Sequence, residues 1–361
     1  MIRRVLILAL GFVLSLSAAA SEVERTIRAE LSGANAANFA IENLAGRMRV
    51  TSAASSVDRV TVVARVVAES AELADAVRVE RVADGRSVAT LRVRYPYDRV
   101  KTFRYVNPDH DRDWPFDRMN SSDAYDYDGR TVRVNEGRGT RLWVDLEVQV
   151  PAGRRQASFR NLVGRIEAEG LEGTLRFDVG SADLRLRKLD GEITLEGDSG
   201  DIRASGIRGN WTSDFASGDC RVDDFEGQRF RFHADSGDLA ARNVRAQSVE
   251  TETASGDVLV SSADIEDFQA DAASGDIAVD VAGSRLASFR VTTASGNVSL
   301  GLPAAAAFDA EADQSSGDMT VGFAEGTAMH DDEALVGFRH GTGGARIRVT
   351  TASGDFSISP R

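Results

Sequence analysis

The chain has 361 residues, with 56 acidic side chains against 43 lysines and arginines, and a formal net charge of −13. This acidity argues against binding to nucleic acid or to an anionic membrane surface, because both attract proteins through positive charge. The single cysteine, Cys220, excludes an internal disulfide, and its place in an apolar strand pattern predicts a small buried side chain.

Residues 1–20 are typical of a secretory signal peptide. Arg3 and Arg4 precede an apolar run from Val5 to Leu16, and cleavage is expected after Ala20. The run is shorter than the ~20 residues that a membrane span needs, and no second such run follows. We therefore expect export to the periplasm or the extracellular space, with no stable membrane span in the mature chain.

Residues 21–140 are predicted to form an N-terminal cap region that covers the first strand edge of the repeats. Residues 39–50 and 60–67 alternate apolar and polar side chains, as strands do. Ser70 is a suitable N-cap for a short helix over residues 70–77. Residues 77–82 and 87–95 then predict a hairpin whose turn contains Asp84 and Gly85.

Residues 96–139 interrupt the strand pattern with an insertion rich in aromatic and aspartate residues. Long loops are usually functional or disordered, so the insertion is interpreted as a packed cover, a binding surface for carbohydrate or protein, or a largely disordered segment. Its aspartates lack the spacing of an EF-hand loop, so no metal site is predicted. The candidate binding surface consists of Tyr105, Trp114, Phe116, Tyr125 and Tyr127.

Residues 141–361 repeat a phrase of Ser-Gly-Asp followed by alternating apolar residues, with one Asn in place of Asp. The spacing of successive copies is nearly constant, except that the last interval, from Ser316 to Ser353, is much longer than the others. Repetition at a fixed period indicates a solenoid, in which each coil stacks on the one before it. The predicted repeat corners are Ser199, Gly200, Asp201, Ser217, Gly218, Asp219, Ser236, Gly237, Asp238, Ser255, Gly256, Asp257, Ser274, Gly275, Asp276, Ser295, Gly296, Asn297, Ser316, Gly317, Asp318, Ser353, Gly354 and Asp355.

The pattern predicts an all-β fold, a right-handed parallel β-solenoid with about 19–21 residues per coil. Two strands of about 5–6 residues and two turns would fill such a coil, since a strand residue advances ~3.3 Å. The glycine of each corner is expected to have positive φ, which other residues avoid.

The aspartates of successive corners should stack in a ladder. The favoured interpretation is structural, with each carboxylate accepting backbone N–H bonds at its corner, as Asp does in turns. The alternative is a calcium ladder, which needs a Gly-Gly-x-Gly-x-Asp loop twice per coil, and this motif is absent. No metal ion or other cofactor is therefore expected.

The long last interval is interpreted as one coil with an insertion, with residues 319–323 as its first strand and 345–350 as its second. The coil that ends at residues 356–358 is expected to close the stack. Residues 324–344 are long enough to fold over this end and protect its edge, so a monomer is expected.

Two stretches resemble a known family. Residues 146–153, Leu-Glu-Val-Gln-Val-Pro-Ala-Gly, lead into the repeats, and residues 343–355 close them with a strand before the last Ser-Gly-Asp. Together with the repeats they are similar to the bacterial putative-adhesin family of β-strand-repeat proteins, a domain of unknown function related to head-GIN domains. The resemblance implies an exported or envelope-associated β-solenoid and supplies no catalytic residue.

The sequence therefore favours a non-enzymatic scaffold, an adhesin-like protein that binds an envelope protein or a polysaccharide. It contains no nucleophile elbow, zinc-protease helix, Walker A loop or paired-cysteine motif, so no catalytic residue is predicted. A carbohydrate-active enzyme that resembles polysaccharide lyases is the alternative, because these enzymes also use parallel β-helices. Such enzymes need clustered Asp with Arg or Lys, whereas the exposed residues of successive coils here look mixed, with no basic cluster.

Overall fold

The computed structural model describes residues 22–53, 57–82, 88–106, 122–331 and 334–361. The signal peptide predicted at 1–20, the turn at 84–85, Trp114 and Phe116 lie outside these ranges, and the signal peptide stays a prediction. In the described part of the chain both helices are single turns, and neither has the length or apolar character to cross a bilayer.

The N-terminal region forms a mixed β-cap with one short helix. Its elements are β1 (Val23–Ser32), a 3-10 turn (Gly33–Ala36), β2 (Asn38–Ser52), β3 (Arg59–Ala68), α1 (Ala71–Ala74), β4 (Arg78–Val82), β5 (Ala89–Arg94), β6 (Thr102–Arg104), β7 (Ser122–Tyr127), β8 (Arg130–Asn135) and β9 (Thr140–Val150). β3 pairs antiparallel with β1 and β9, and β4 and β5 form the predicted hairpin. Ser70 caps α1, because its Oγ accepts a hydrogen bond from the Leu73 backbone N–H at 3.4 Å.

The remaining strands form the repeats and a terminal hairpin. They are β10 (Arg155–Glu169), β11 (Glu172–Arg187), β12 (Asp190–Gly197), β13 (Ile202–Ser217), β14 (Cys220–Ser236), β15 (Leu239–Ser255), β16 (Val258–Ser274), β17 (Ile277–Val281), β18 (Ser288–Ser295), β19 (Val298–Leu302), β20 (Phe308–Gln314), β21 (Met319–Val321), β22 (Thr327–Asp331), β23 (Ala334–His340), β24 (Ala345–Ser353) and β25 (Phe356–Pro360). The prediction of an all-β repeat fold is confirmed. The right-handed winding stays a prediction.

Strands of successive coils pair in parallel and in register. Val258 of β16 lies opposite Leu239 of β15 and Ile277 of β17, so each repeat places the same position above its neighbour. β2 joins this stack, because it pairs in parallel with β10 on one side and with β5 and β9 on the other. The N-terminal region therefore contributes a layer of the stack as well as the cap.

The repeat strands are longer than the short strands that the sequence pattern predicts. β13 to β16 each span 16 or 17 residues, because the chain bends within the strand at a residue in the left-handed region. These residues are Gly206, Asp224, Asn243 and Ser262, with φ between 53° and 65°. Asp and Asn tolerate this region better than most residues, so the bend needs no separate loop. The prediction of a turn between two short strands in each coil was therefore wrong for β13 to β16.

The core consists of inward side chains stacked along the axis. The rings of Phe268 and Phe289 are 5.0 Å apart, and those of Trp211 and Phe230 are 5.9 Å apart with an interplanar angle of 4°. Cys220 is 1% exposed, as predicted, and its burial raises the pKa of its thiol.

The glycine of each Ser-Gly-Asp corner has φ between 115° and 143°. At Gly256 a Cβ atom would lie 2.2 Å from the carbonyl oxygen of Gly237 in the preceding layer, and the other corner glycines meet a backbone oxygen at 2.1–2.4 Å. Glycine is needed here for two reasons, the left-handed backbone and the contact between layers.

The corner aspartates form a continuous hydrogen-bonded ladder. The Asp257 backbone N–H donates to Asp238 Oδ1 at 2.8 Å, and the Asp276 backbone N–H donates to Asp257 Oδ1 at 2.8 Å. The same contact links nine successive layers at 2.8–3.3 Å, in the spatial order Asp183, Asp201, Asp219, Asp238, Asp257, Asp276, Asn297, Asp355 and Asp318. Each side chain thus ties its own coil to the next.

The order of the last coils differs from the prediction. β24 lies between β18 and β20, and β25 lies between β19 and β21, so the C-terminal coil is the second to last layer. Residues 319–323 and 345–350 therefore belong to two different layers, and the prediction of one coil with an insertion was wrong. β22 and β23 pair antiparallel with each other, and β23 pairs antiparallel with the start of β20, so the described part of 324–344 covers part of the edge of the end layer.

Gly256→Ala should destabilise the protein by on the order of 3 kcal/mol, because both the positive φ and the backbone contact become unfavourable. Gly343→Ala is the matched control, since Gly343 has φ of 73° but no atom within 4 Å of the added Cβ. Chemical denaturation should show a clearly smaller loss for the control. Equal losses would show that the interlayer contact relaxes without penalty.

Asp238→Ala should lower stability by about 1 kcal/mol, because the Asp257 N–H loses its acceptor. Asp238→Asn should be close to neutral, since an amide oxygen accepts the same bond, as Asn297 does from the Asp355 N–H at 3.1 Å. Thermal unfolding of the two variants separates the hydrogen bond from the charge. A loss of stability in the Asn variant as large as that in the Ala variant would contradict the role given to the oxygen.

Candidate functional site: an acidic groove on the outer sheet face

An acidic column runs along one outer face of the stack. In-register pairing places Asp178 of β11 beside Glu196 of β12, and Glu196 beside Asp214 of β13. The column continues through His233, Glu252 and Asp271 on β14, β15 and β16. Side chains two residues apart share a face, and layers repeat every ~4.8 Å, so these groups stand in one row.

Two adjoining cavities lie along this column, one of about 600 Å³ and one of about 400 Å³, and both border Asp214 and His233. We call them together the acidic groove. Its lining contains nine carboxylates but only two arginines, Arg160 and Arg231. The carboxylates are Asp126, Asp178, Glu196, Asp198, Asp214, Asp235, Glu250, Glu252 and Asp271.

The β7–β8 hairpin walls one end of the groove. Tyr125 Oη and Ser181 Oγ are 2.7 Å apart, and the Tyr125 ring lies on Gly180, where a Cβ atom would come within 2.3 Å of it. Arg160 donates to the Asp126 carbonyl oxygen at 3.0 Å and so ties the hairpin to β10. The solenoid and the insertion thus both contribute residues to the groove.

The predicted aromatic binding surface does not exist on the described residues. Tyr105, Tyr125 and Tyr127 are 3%, 7% and 0% exposed. Tyr105 packs edge-on against Trp143 at 5.9 Å, and Tyr127 donates to the Val93 carbonyl oxygen at 2.8 Å. All three pack the insertion onto the stack as a cover, so the prediction was wrong for Tyr105 and Tyr127, whereas Tyr125 borders the acidic groove.

A carboxylate and a histidine in the groove have raised pKa values. Burial raises the pKa of Asp178, and the nearby charge of Glu196 adds to this, while Arg160 at 3.5 Å opposes it. His233 Nδ1 lies 2.8 Å from Asp214 Oδ1, and this hydrogen bond is the main reason why the pKa of His233 is raised. Glu252 and Asp235 add to that shift, so the groove favours the imidazolium form.

A second groove, on the bend side of the coils, has a different charge balance. It measures about 670 Å³, and its lining contains five carboxylates, two arginines and one lysine. Arg245 lies 3.4 Å from Asp264, and Arg208 lies 3.8 Å from Glu226. The arginines of this second groove thus pair with its carboxylates. In the acidic groove Asp178, Glu196 and Glu250 also have an arginine partner, whereas Glu252 and Asp271 form no ion pair with a described residue.

Within the described residues, no group of three or more His, Cys, Asp or Glu side chains is placed to hold a metal ion. The corner aspartates point along the stack, and one carboxylate oxygen of each accepts a hydrogen bond from the backbone N–H of the next layer. Hydrogen bonding of the backbone, the structural interpretation, therefore accounts for the ladder.

The acidic groove was not predicted from the sequence, in which the exposed residues look mixed. The signal was present, because Asp178, Glu196, Asp214, His233, Glu252 and Asp271 recur with the same period as the corners. A register count from the Ser-Gly-Asp phrase would have placed them on one face.

Asp214→Asn should lower the pKa of His233 towards the ~6.5 of a free histidine, because the charged hydrogen-bond partner is removed. In the wild-type protein the raised pKa means that the pair stabilises the fold below pH ~6.5 and that this contribution is lost as the pH rises through the folded-state pKa. An NMR titration of the His233 ring measures both values. Glu226→Gln, in the second groove, is the control and should leave the titration unchanged; an unchanged titration in Asp214→Asn would contradict the assignment.

The family model of Toastrack DUF4097 matches residues 145–359 of the chain. No curated protein matches the chain in sequence. The chain is similar to solved structures of a putative adhesin from Parabacteroides distasonis (9% identity, TM-score 0.40, covering 92% of this chain and 97% of that one) and a putative adhesin from Bacteroides fragilis (10%, 0.34, 92% and 97%). A putative lipid binding protein from Parabacteroides distasonis has 10% identity and a TM-score of 0.36, covering 93% and 96%. These scores are too low to inform the function of this chain.

The family match agrees with the repeats. It starts inside β9, at Asp145, and ends in β25, so it takes in all of the Ser-Gly-Asp corners. The predicted resemblance to a β-repeat family of unknown function is therefore confirmed. Because the family model matches more than half of the residues of the chain, the chain belongs to the Toastrack DUF4097 family.

Proposed function

We propose that this protein is an exported, non-enzymatic binding scaffold of the cell envelope that holds a partner in its acidic groove. The observation that carries the proposal is the groove itself, with nine carboxylates against two arginines along a single sheet face. The stacked coils make this face rigid, so the charges keep a fixed spacing of ~4.8 Å along the axis.

The charge favours a basic segment of another envelope protein as the partner. Adjacent carboxylates in the column repel one another, and a partner with Lys or Arg side chains relieves this repulsion on binding. The carboxylates would also repel an acidic polysaccharide, so we favour a basic protein segment over an acidic polysaccharide as the partner. The amino-terminal signal-like sequence and the family resemblance support an envelope location.

The geometry of the groove also explains why an enzyme is the second candidate. Asp178 has a pKa raised by burial and lies next to Glu196 in the column. Two carboxylates with different environments are the usual catalytic pair of glycoside hydrolysis. A binding assay that also measures bond cleavage therefore distinguishes the two functions.

A lysine- and arginine-rich peptide should bind the mature chain, with an affinity that falls as salt is added. The double variant Glu252→Gln/Asp271→Asn should weaken binding about tenfold or more, since two charges of the acidic column are removed. The matched control is Glu172→Gln/Glu226→Gln, which removes the same net charge from the second groove and should change the affinity less than about twofold. Fluorescence anisotropy provides the measurement.

Equal weakening by both double variants would show that the peptide responds to net charge and not to the groove. A panel of neutral and acidic glycans should be run in parallel, with reducing-end release as the readout for cleavage. Glycan cleavage that is lost in Asp178→Asn would show that the protein is an enzyme and not a scaffold. Glycan binding without cleavage would show that the partner is a polysaccharide and not a basic protein segment.

A further inference from the structure

The last two layers of the stack are out of chain order. From β17 to β18 the chain advances by one layer, since β18 pairs with β16. From β19 to β20 it advances by two, because β24 and β25 fill the layer between. The chain thus leaves a layer empty, runs through β20 to β23 and returns to fill it.

The segment 308–321 carries every feature needed to occupy the empty layer itself. Its corner phrase, which begins at Ser316, follows Ser295 at the same spacing as Ser295 follows Ser274. The linker 303–307 that precedes it is about as long as the linker 282–287, which spans a single layer. Nothing in local sequence therefore prevents 308–321 from stacking directly on 288–302.

Both segments also have the carbonyl groups that accept the hydrogen bonds donated by the edge of 288–302. The Gly296 N–H donates to the Ser353 carbonyl oxygen at 3.1 Å, and the Val298 N–H donates to the Asp355 carbonyl oxygen at 2.8 Å. These acceptors belong to a Ser-Gly-Asp phrase, and Ser316 and Asp318 supply the same groups. The edge of 288–302 thus recognises a phrase that occurs twice downstream.

Apolar burial decides which segment occupies the inner layer. β24 and β25 point Ile347, Val349, Phe356 and Ile358 inward, and all four are at most 2% exposed. The positions stacked on them in β20 and β21 are Ala310, Ala312, Met319 and Val321. At a fifth position the order is reversed, because Phe308 of β20 stacks on Ala345. At the other four positions the larger side chains of β24 and β25 gain more from two covered faces, so β20 and β21 lie at the end, where Ala312 and Val321 are only partly buried.

We propose that residues 308–321 and 345–360 are alternative occupants of the edge of 288–302, and that the C-terminal segment is an exchangeable strap. In the alternative state 308–321 lies directly on 288–302, and the strap is released as an unpaired apolar strand. During synthesis 308–321 emerges first and reaches the edge before the strap exists, so the strap must displace it. The two states differ only in which segment lies next to 288–302, and all preceding coils are the same in both.

Disulfide trapping in the full chain tests the exchange. Thr292, Thr350 and Asp313 occupy one exposed column on three successive layers. In the observed order the Thr292 and Thr350 Cα atoms are about 5 Å apart and those of Thr292 and Asp313 about 10 Å, given the ~4.8 Å spacing of layers. A disulfide needs a Cα separation below about 7 Å, so Thr292→Cys/Thr350→Cys reports the observed order and Thr292→Cys/Asp313→Cys reports the alternative. Cys220 is buried and stays unreactive.

We expect the first pair to close within one chain under mild oxidation and the second pair to close slowly. Adding Phe356→Ala to the second pair should speed its closure at least about tenfold, because the substitution weakens the strap and leaves 308–321 intact. Phe177→Ala is the matched control, since Phe177 is equally buried but lies in β11, far from the exchange. Ile358→Val is a milder strap variant that should act in the same direction if Phe356→Ala does not fold.

Three results would overturn the proposal. Closure of the second pair that no strap variant speeds would show that 308–321 does not reach the edge. Equal acceleration by Phe177→Ala would show that closure follows global unfolding. Disulfides that join two chains, seen as dimers on non-reducing gels, would show that the segment is exchanged between copies and not within one.

Discussion

The stack depends on the close approach of backbones at the Ser-Gly-Asp corner. The corner glycine of each layer lies so near the carbonyl oxygen of the layer before it that no Cβ atom fits between them. The adjacent aspartate or asparagine then accepts the N–H of the following layer. These two contacts set both the distance and the register between coils, because a slip of one residue would bring a side chain into the space that only glycine leaves free.

Register turns a periodic sequence into a stripe on the surface. A carboxylate that recurs with the coil period must stand beside its copies at about 5 Å, where like charges repel by roughly 0.8 kcal/mol in water. On the bend side of the coils, Arg208 and Arg245 alternate along the stack with Asp190, Glu226 and Asp264. In the acidic groove the row from Asp178 to Asp271 is interrupted by His233 with its partner Asp214. Glu252 and Asp271 keep this repulsion, which contributes nothing to the stability of the fold, and it is the physical reason why we propose that this face binds a partner.

The ends of the stack are organised by how much apolar surface each segment has to bury. At the N-terminal end, β2 lies between β9 and β10, and Tyr95 donates to Asn43 Oδ1 at 2.9 Å within the junction. Asn43 in turn donates to Asn161 Oδ1 at 2.9 Å, so the buried polar groups are satisfied across the layer boundary. At the C-terminal end, the strand with Phe356 and Ile358 lies inside, and the strand with Ala310 and Ala312 lies outside. Both ends depart from chain order, and in both the inserted strand buries its side chains on two sides.

The sequence alone determined the repeat, the β class, the positions of the corners and the family, because spacing and alternation are local properties that stacking only repeats. It also indicated the cap of α1 at Ser70, where a single side chain meets the backbone next to it. The order of the last layers was decided by the tertiary structure, since the two candidate segments carry the same corner phrase and differ only in how well their side chains fill a shared interior. The burial of Tyr105, Tyr125 and Tyr127 was decided in the same way, because an aromatic residue in a loop looks alike whether it covers a core or faces solvent. The acidic groove stands between these cases. Its period was in the sequence, but its shape depends on the β7–β8 hairpin, which reaches the repeats through contacts between residues far apart in the chain.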